Sequence, residues 1–206
     1  MKKQLLLLTT ALLLTSPAWA DDGTETTLAK NMYLSVMGGY AKTEATMSVT
    51  SYYYNPYYGT LLPAGTQDVS EKFDTYIGAI EGGRQITDYF RLGCEAAYRY
   101  IDLNGYDGKF HILTTSLQAY ADLHNQTPFT PYLNAGAGLA TSWSNIEGDK
   151  TEHTFTWNIG AGIYTKLSDS VGMDVRYRYV DFGKVRDDLD ISAKANEFMV
   201  GFRFNF

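Results

Sequence analysis

The amino-acid sequence predicts an all-β protein, an eight-stranded antiparallel up-and-down transmembrane β-barrel. The clearest observation is the final stretch, where apolar and polar residues alternate with the two-residue period of a β-strand. One side of that strand carries Phe198, Val200, Phe202, Phe204 and Phe206, and the other carries Glu197, Met199, Gly201, Arg203 and Asn205. An open edge strand this apolar would promote aggregation in water, so we expect it to close a barrel with its phenylalanines toward lipid.

The first twenty residues are organised as a secretory signal peptide. Lys2 and Lys3 precede an apolar run from Leu5 to Leu14, and Ala18-Trp19-Ala20 supplies a small-x-small cleavage site. Ten apolar residues are too few to span a bilayer as a helix. We therefore expect residues 1–20 to be removed, which leaves one barrel domain, residues 21–206, with a flexible periplasmic leader over residues 21–31.

Composition excludes several functional classes. Without Lys2 and Lys3, 15 basic residues stand against 23 acidic ones, a net charge of −8, which offers no basic surface for a nucleic acid. The single cysteine, Cys94, cannot form an intramolecular disulfide, and on a strand face we expect an inert thiol. No apolar run after Ala20 reaches 18 residues, which excludes an ordinary helical membrane protein.

The first two predicted strands have an unclear phase. Strand one covers residues 32–42 and strand two covers residues 73–85, with a long extracellular loop predicted over residues 44–72. If Ile77 and Ala79 face lipid, then Glu81 does so as well. A bulge near Gly82-Gly83 would correct this phase.

The other six strands alternate more clearly. Leu92, Leu117, Leu133, Ile159 and Val175 lie on the apolar sides of strands three to seven. Short turns are predicted at residues 86–89, 124–128 and 168–170. Longer loops are predicted near residues 104–105, at residues 143–152 and at residues 181–194.

The predicted connections thus alternate between long and short. This asymmetry is typical of outer-membrane barrels, with short periplasmic turns, longer outside loops and, for eight strands, both termini in the periplasm. Aromatic residues near the predicted strand ends fit two interfacial girdles. The outer girdle comprises Tyr98, Tyr100, Phe155, Trp157, Tyr177 and Tyr179, and the inner girdle comprises Phe90, Phe129, Phe204 and Phe206.

A soluble barrel with an apolar interior would show the same alternation. Three features favour the membrane barrel: the terminal phenylalanine strand, the loop asymmetry, and a polar side that mixes glycine with charges. A narrow lumen requires that mixture, whereas a solvated exterior would be rich in Lys, Glu and Thr.

Several stretches resemble the small eight-stranded outer-membrane barrels of Gram-negative bacteria, the opacity-protein, surface-antigen and porin-like group. The matching stretches are residues 91–95, 98–100, 127–132, 135–138, 177–183 and 202–206. The resemblance implies that the protein lies in the outer membrane and that the barrel-assembly machinery reads Phe204 and Phe206. It further implies contacts with lipid and lipopolysaccharide, host surface molecules as further partners, and a monomeric state.

The polar side of the predicted strands carries five acids and five arginines. These residues are Asp74, Arg91, Glu95, Arg99, Asp122, Asp174, Arg176, Arg178, Glu197 and Arg203. They would either line an ion-selective pore or form an ion-pair network that fills the lumen. Balanced charge favours the filled lumen, because eight strands leave an interior only wide enough for side chains.

No catalytic, cofactor or metal site is predicted. The three histidines, His111, His124 and His153, are scattered along the chain without metal-ligand spacing. A lipid-modifying enzyme could be assembled from His153 with Glu152 and Ser144, but that spacing carries no specificity.

The predicted first loop is the most distinctive part of the chain. It contains Tyr52, Tyr53, Tyr54, Tyr57 and Tyr58 among Asn, Pro, Gly and Ser, a residue usage similar to that of antibody paratopes. The alternative is that these rings pack on one another or on lipopolysaccharide. The leading hypothesis is thus a filled barrel whose outer loops act in adhesion, host interaction or envelope integrity. A narrow passive channel for small solutes is the second hypothesis, and a lipid-modifying enzyme is the third.

Overall fold

The computed structural model describes residues 31–102, 109–123, 127–144, 151–186 and 191–206. The predicted signal peptide and nearly all of the predicted leader lie outside these residues. The described chain contains eight β-strands. They are β1 (Met32–Asn55), β2 (Thr60–Thr87), β3 (Phe90–Asp102), β4 (Lys109–Asp122), β5 (Phe129–Ser144), β6 (Thr151–Lys166), β7 (Val171–Arg186) and β8 (Ile191–Asn205).

The eight strands form a closed barrel in which each strand pairs antiparallel with its neighbours in sequence, and β1 pairs with β8. The closing pair brings together residues far apart in the chain, such as Val36 with Phe202 and Tyr40 with Phe198. The predicted eight-stranded up-and-down barrel is confirmed.

Side chains alternate between the outer surface and the lumen. On β8, Phe198 and Phe202 are exposed, whereas Glu197 and Met199, on either side of Phe198, are fully buried. Apolar side chains cover the outside because lipid is their solvent, and the lumen collects the polar side chains.

The two ends of the barrel differ. At the end that we call the terminal end, Asn31 donates its backbone N–H to the carbonyl of Phe206, and Phe206 donates its own to Met32. The turns between β2 and β3 and between β6 and β7 lie at this end too. At the opposite end, which we call the hairpin end, β1 and β2 extend beyond all other strands.

This extension corrects the predicted loop over residues 44–72. β1 and β2 stay paired from Glu44↔Lys72 to Asn55↔Thr60, so most of the predicted loop is a β-hairpin. Residues 44–55 are rich in Thr, Val and Tyr, which favour strands. Hydroxyl hydrogen bonds cross between the strands from Thr46 to Ser70 and from Ser48 to Asp68, at 2.8 and 2.7 Å.

A four-residue turn, 56–59, closes this hairpin. Gly59 occupies it with a φ of 63°, a conformation that side chains with a Cβ rarely adopt. The Asn55 carbonyl accepts the Gly59 N–H at 2.9 Å, and the Asn55 side chain accepts the Tyr57 N–H at 2.9 Å.

A second predicted loop is also much shorter than predicted. The predicted loop over 181–194 is largely strand, because β7 continues to Arg186 and pairs there with Ile191 of β8. The asymmetry between the two ends therefore resides mainly in the length of β1 and β2. The register shifts between Asp181 and Arg186 interrupt the ladder in this region.

The predicted bulge near Gly82-Gly83 is wrong. Pairing between β1 and β2 is regular through both glycines, and the irregularity on the β3 side lies between Gln85 and Thr87. Gly83 instead leaves room for the Tyr33 ring in the lumen, because a Cβ at position 83 would overlap that ring.

Candidate functional site

The lumen is filled by two layers of different chemistry. The layer toward the terminal end contains charged side chains and tyrosines. The layer toward the hairpin end is mainly apolar and also holds buried hydroxyls, such as those of Thr43 and Thr75, which are hydrogen-bonded to each other at 2.7 Å. Both layers are buried: the arginines at positions 91, 99, 176, 178 and 203 are each at most 4% exposed.

Six of the charged side chains form one continuous chain of alternating sign. It runs from Arg99 to Glu197, Arg178, Glu95, Arg176 and Glu81. Glu95 accepts from Arg178 Nη1 at 2.7 Å and from Arg176 Nη1 at 2.9 Å. Glu197 accepts from Arg178 Nε at 2.7 Å. Each charge therefore has an opposite partner, which offsets the cost of removing it from water.

Two further ion pairs and three tyrosines complete this layer. Arg91 donates to both oxygens of Asp122, at 2.6 and 2.9 Å, and Arg203 pairs with Asp174. Tyr33 and Tyr120 donate their hydroxyls to Glu81, and Tyr132 donates to Asp174. The Arg91 guanidinium lies 4.2 Å from the centre of the Tyr120 ring, which adds a cation–π contact.

The apolar layer closes the other half of the lumen. Phe182, Ile112 and Met199 are fully buried. Around them pack Met37, Ala41, Ile77, Ala79, Ala97, Ile101, Ala140, Val180, Val185, Ala193 and Ala195. Arg99 marks the boundary, with its guanidinium 4.9 Å from the Phe182 ring centre. The sequence pattern did not predict this layer.

Asp74 is the predicted lumen residue that the structure places elsewhere. It lies on the outer face, where it pairs with Lys42 and accepts from Tyr40. Glu81 occupies the lumen instead, and the other nine predicted residues are buried there. The sequence did contain the signal: Ile77, Ala79 and Glu81 share one side of β2, and that side faces inward because the lumen itself has an apolar half.

A cavity of about 250 Å³ opens at the terminal end. Its lining comprises Gln85, Asp122, Thr130, Tyr164, Lys166, Asp169, Arg203 and Asn205. A 2.8 Å hydrogen bond from Lys166 lowers the pKa of Asp169 in the turn beside it. Inward, this cavity meets the Arg203–Asp174 and Arg91–Asp122 pairs, so within the described residues it ends at the charged layer.

The hairpin exposes the predicted tyrosines to solvent. Tyr57 in the turn is 95% exposed and Tyr58 is 76% exposed, while Tyr52, Tyr53 and Tyr54 on β1 are between 49 and 62% exposed. They do not form a packed aromatic cluster, since alternate residues of β1 point to opposite faces. The face shared with Tyr53 also carries Met47 and Val49, both more than a third exposed.

The histidines do not assemble with catalytic partners in the described part of the chain. His111 lies between Tyr98 and Trp143, with ring centres at 5.8 and 5.7 Å, and accepts or donates a 2.7 Å hydrogen bond with the Tyr98 hydroxyl. His153 bonds Thr141 at 3.0 Å. His124 lies outside the described residues, as does the side chain of Ser144.

The described residues contain neither a cluster of metal ligands nor a membrane-spanning helix. No group of three or more His, Cys, Asp or Glu side chains among them is arranged to hold a metal ion. Within the same ranges, no helix is long and apolar enough to cross a membrane.

Comparison with known proteins gives a family match over nearly all of the chain and relatives over parts of it. The sequence profile of the family described as "Outer membrane protein beta-barrel domain" matches residues 6–206. The outer membrane protein PagN of Salmonella typhimurium (strain LT2) is 30% identical over 117 residues, which cover 45% of this chain and 49% of PagN. The 25 kDa outer-membrane immunogenic protein of Brucella melitensis biotype 1 is 33% identical over 89 residues, covering 40% of this chain and 42% of that protein. The matches thus span half or less of these relatives' lengths.

A solved structure shows the same fold. Neisserial surface protein A superposes with a TM-score of 0.63, covering 85% of this chain and 97% of the neisserial chain, at 20% sequence identity. The predicted resemblance to small outer-membrane barrels is confirmed. The chain belongs to the outer membrane protein β-barrel family and is a protein of the bacterial outer membrane.

Proposed function

We propose that the protein is a surface adhesin that acts through the β1–β2 hairpin while the barrel serves as a rigid, filled anchor. The observation that carries this proposal is the hairpin itself, which extends beyond the other strands and exposes five tyrosines. Tyrosines supply large contact area with few rotatable bonds, so they lose little entropy on binding.

The proposal also assigns the orientation of the barrel in the outer membrane. The terminal end faces the periplasm, where both ends of the barrel chain lie, and the hairpin projects from the cell. The outer face of the barrel supports this assignment, because apolar residues such as Ile80 give way to the Lys42–Asp74 pair where the hairpin begins. The naming of the Brucella relatives as immunogenic agrees with a surface that reaches outside the cell.

The filled lumen argues against the channel hypothesis. A solute would have to displace the ion-pair chain through Glu95 and then the apolar layer around Phe182. Removing one member of a buried ion pair typically costs about 3–5 kcal/mol, so neither layer opens readily. We assign no conducting and no catalytic role.

Other partners keep the roles predicted from the sequence. Lipid and lipopolysaccharide contact the outer face, and the barrel-assembly machinery recognises the terminal strand through Phe204 and Phe206. Both phenylalanines lie on the outer face, 36 and 71% exposed. Within its own membrane we propose that the protein is a monomer.

The test replaces all five hairpin tyrosines by serine and displays the protein on non-adherent bacteria. We expect the variant to lose attachment to cultured epithelial cells, measured by counting bound bacteria. A shift between cold and boiled gel samples verifies that the barrel has folded.

Tyr89→Ser is the matched control, because Tyr89 is 65% exposed but lies at the terminal end. It should attach like the unchanged protein. Attachment that survives the five replacements would disprove the role of the hairpin tyrosines.

A further inference from the structure

The hairpin has two free edges, and they differ in how they are protected. β8 covers β1 only as far as Met47, which pairs with Ile191. β3 covers β2 only as far as Asp74, which pairs with Asp102. Within the described residues, β1 from Ser48 to Asn55 and β2 from Thr60 to Phe73 therefore have no strand on their outer sides.

The neighbouring strands end below the extended hairpin. Arg186 of β7 pairs with Ile191 of β8, and Asp102 of β3 pairs with Lys109 of β4, as the last described pairs at this end of the barrel.

The free edge of β2 carries the residues that prevent strand pairing. It contains Pro63 and Gly65 and three charged residues, Asp68, Glu71 and Lys72. Charges and proline are the usual means by which proteins protect an edge strand. The free edge of β1 reads Ser-Val-Thr-Ser-Tyr-Tyr-Tyr-Asn and contains no charge, proline or glycine. The β1 edge therefore favours strand formation and lacks the residues that would prevent pairing with another strand.

The β1 edge is also complementary to itself. Its first half has small or β-branched residues, Ser48, Val49 and Thr50, and its second half has Tyr52, Tyr53 and Tyr54. When two such strands pair antiparallel about Ser51, each tyrosine lies opposite Ser, Val or Thr of the other strand. Aromatic side chains opposite β-branched ones stabilise a sheet, and no charges are opposed.

The direction of β1 decides where the second copy must be. Two copies in one membrane point their β1 strands the same way, which would oppose tyrosine to tyrosine in a parallel pair. Antiparallel pairing requires the copies to face each other from two membranes. Such an interface uses the same edge on both copies and is closed by a two-fold axis.

We propose that the β1 edge, Ser48–Asn55, pairs antiparallel with the same edge of a second copy in an opposing membrane, so that the protein joins bacterial cells to one another. This inference rests on the proposed adhesive role of the hairpin and adds a second copy of the chain as a further partner of the same hairpin. Strand addition supplies affinity through backbone hydrogen bonds, and the alternating side chains supply specificity.

The test uses purified barrels in two vesicle populations that carry different dyes. Protease cleavage of the hairpin from outside verifies its orientation, and the cold-versus-boiled gel shift verifies folding. We expect the unchanged protein to produce two-colour particles, counted by flow cytometry. Ser51→Asp on all vesicles, and Ser51→Lys on all vesicles, should each reduce these particles to the level of protein-free vesicles, because like charges then oppose each other.

Mixing the two variants is the decisive step. Ser51→Asp vesicles mixed with Ser51→Lys vesicles should form two-colour particles again, since opposite charges now meet. Gln67→Asp, an exposed change on β2, should tether vesicles like the unchanged protein.

Absence of tethering by the folded, correctly oriented protein would overturn the proposal, as would tethering that ignores both Ser51 variants. Neither result bears on attachment to epithelial cells, which is measured separately with the tyrosine variants. Attachment to epithelial cells and the joining of bacterial cells can therefore fail independently.

Discussion

The lumen and the β1–β2 hairpin contain the same kinds of side chain in opposite settings. In the lumen, Tyr33 and Tyr120 give their hydroxyls to the buried carboxylate of Glu81. On the hairpin, Tyr57 and Tyr58 are almost fully exposed. Ion pairs show the same contrast, since Arg178–Glu95 is buried whereas Lys72–Glu44 lies in solvent. Burial makes a tyrosine or an ion pair part of the scaffold, and exposure leaves it available for binding.

The largest effect should follow from removing an acid that joins two arginines of the lumen. Glu95→Ala leaves Arg176 and Arg178 without one of their partners, so we expect the free energy of unfolding to fall by about 3–5 kcal/mol. The measurement is urea unfolding in lipid vesicles, followed by tryptophan fluorescence. Asp74→Ala on the outer face is the control and should cost about 1 kcal/mol or less. An equally small loss for Glu95→Ala would mean that water already solvates the lumen arginines.

A somewhat smaller effect is expected in the apolar layer. Phe182→Ala creates a cavity among fully buried neighbours and should cost about 3 kcal/mol in the same unfolding experiment. Ile112→Val removes one methylene and should cost about 1 kcal/mol. Planar-bilayer recordings of Phe182→Ala should show no defined conductance steps, because the ion-pair layer still blocks the lumen. Defined steps would show that the apolar layer is the main seal.

The exposed ion pair of the hairpin should matter little. Lys72 and Glu44 approach to 3.7 Å with side chains 69 and 44% exposed. Lys72→Ala should therefore change the unfolding free energy by about 0.5 kcal/mol or less, and salt should have no further effect on the variant. A loss comparable to that of Glu95→Ala would show that the hairpin is coupled to the barrel core.

The smallest change in stability is expected at the hairpin turn. Replacing Tyr57 and Tyr58 together by serine should leave the unfolding free energy within about 0.5 kcal/mol, because neither ring is buried. The same variant should weaken attachment to epithelial cells. Unfolding curves and attachment counts on one preparation test both expectations. A large stability loss would mean that these rings pack against the barrel.

Alternation along each strand was sufficient to predict the closed barrel and most of the lumen residues. It failed on β2 because the lumen was expected to be polar throughout, whereas its hairpin half is lined by residues such as Ile77. Because of that expectation, Asp74 was assigned to the lumen, where the structure places Glu81. The pairing of charges was beyond prediction from sequence, since Arg99 meets Glu197 only through the stagger of distant strands. The hairpin was missed because residues 60–72 show no apolar alternation and contain Pro63 and Gly65, which are typical of loops.

The ion-pair chain has a consequence for how the barrel is assembled. Glu197 on β8 neutralises Arg99 of β3 and Arg178 of β7, and the first two residues are 98 positions apart. Before β8 takes its place, both guanidinium groups lack this partner and must remain hydrated. An open sheet that lacks β8 therefore cannot exclude water from its concave side. The interior loses its water only when β8 pairs with its neighbours. Closure of the ring is therefore the step at which these charges exchange water for their buried partners.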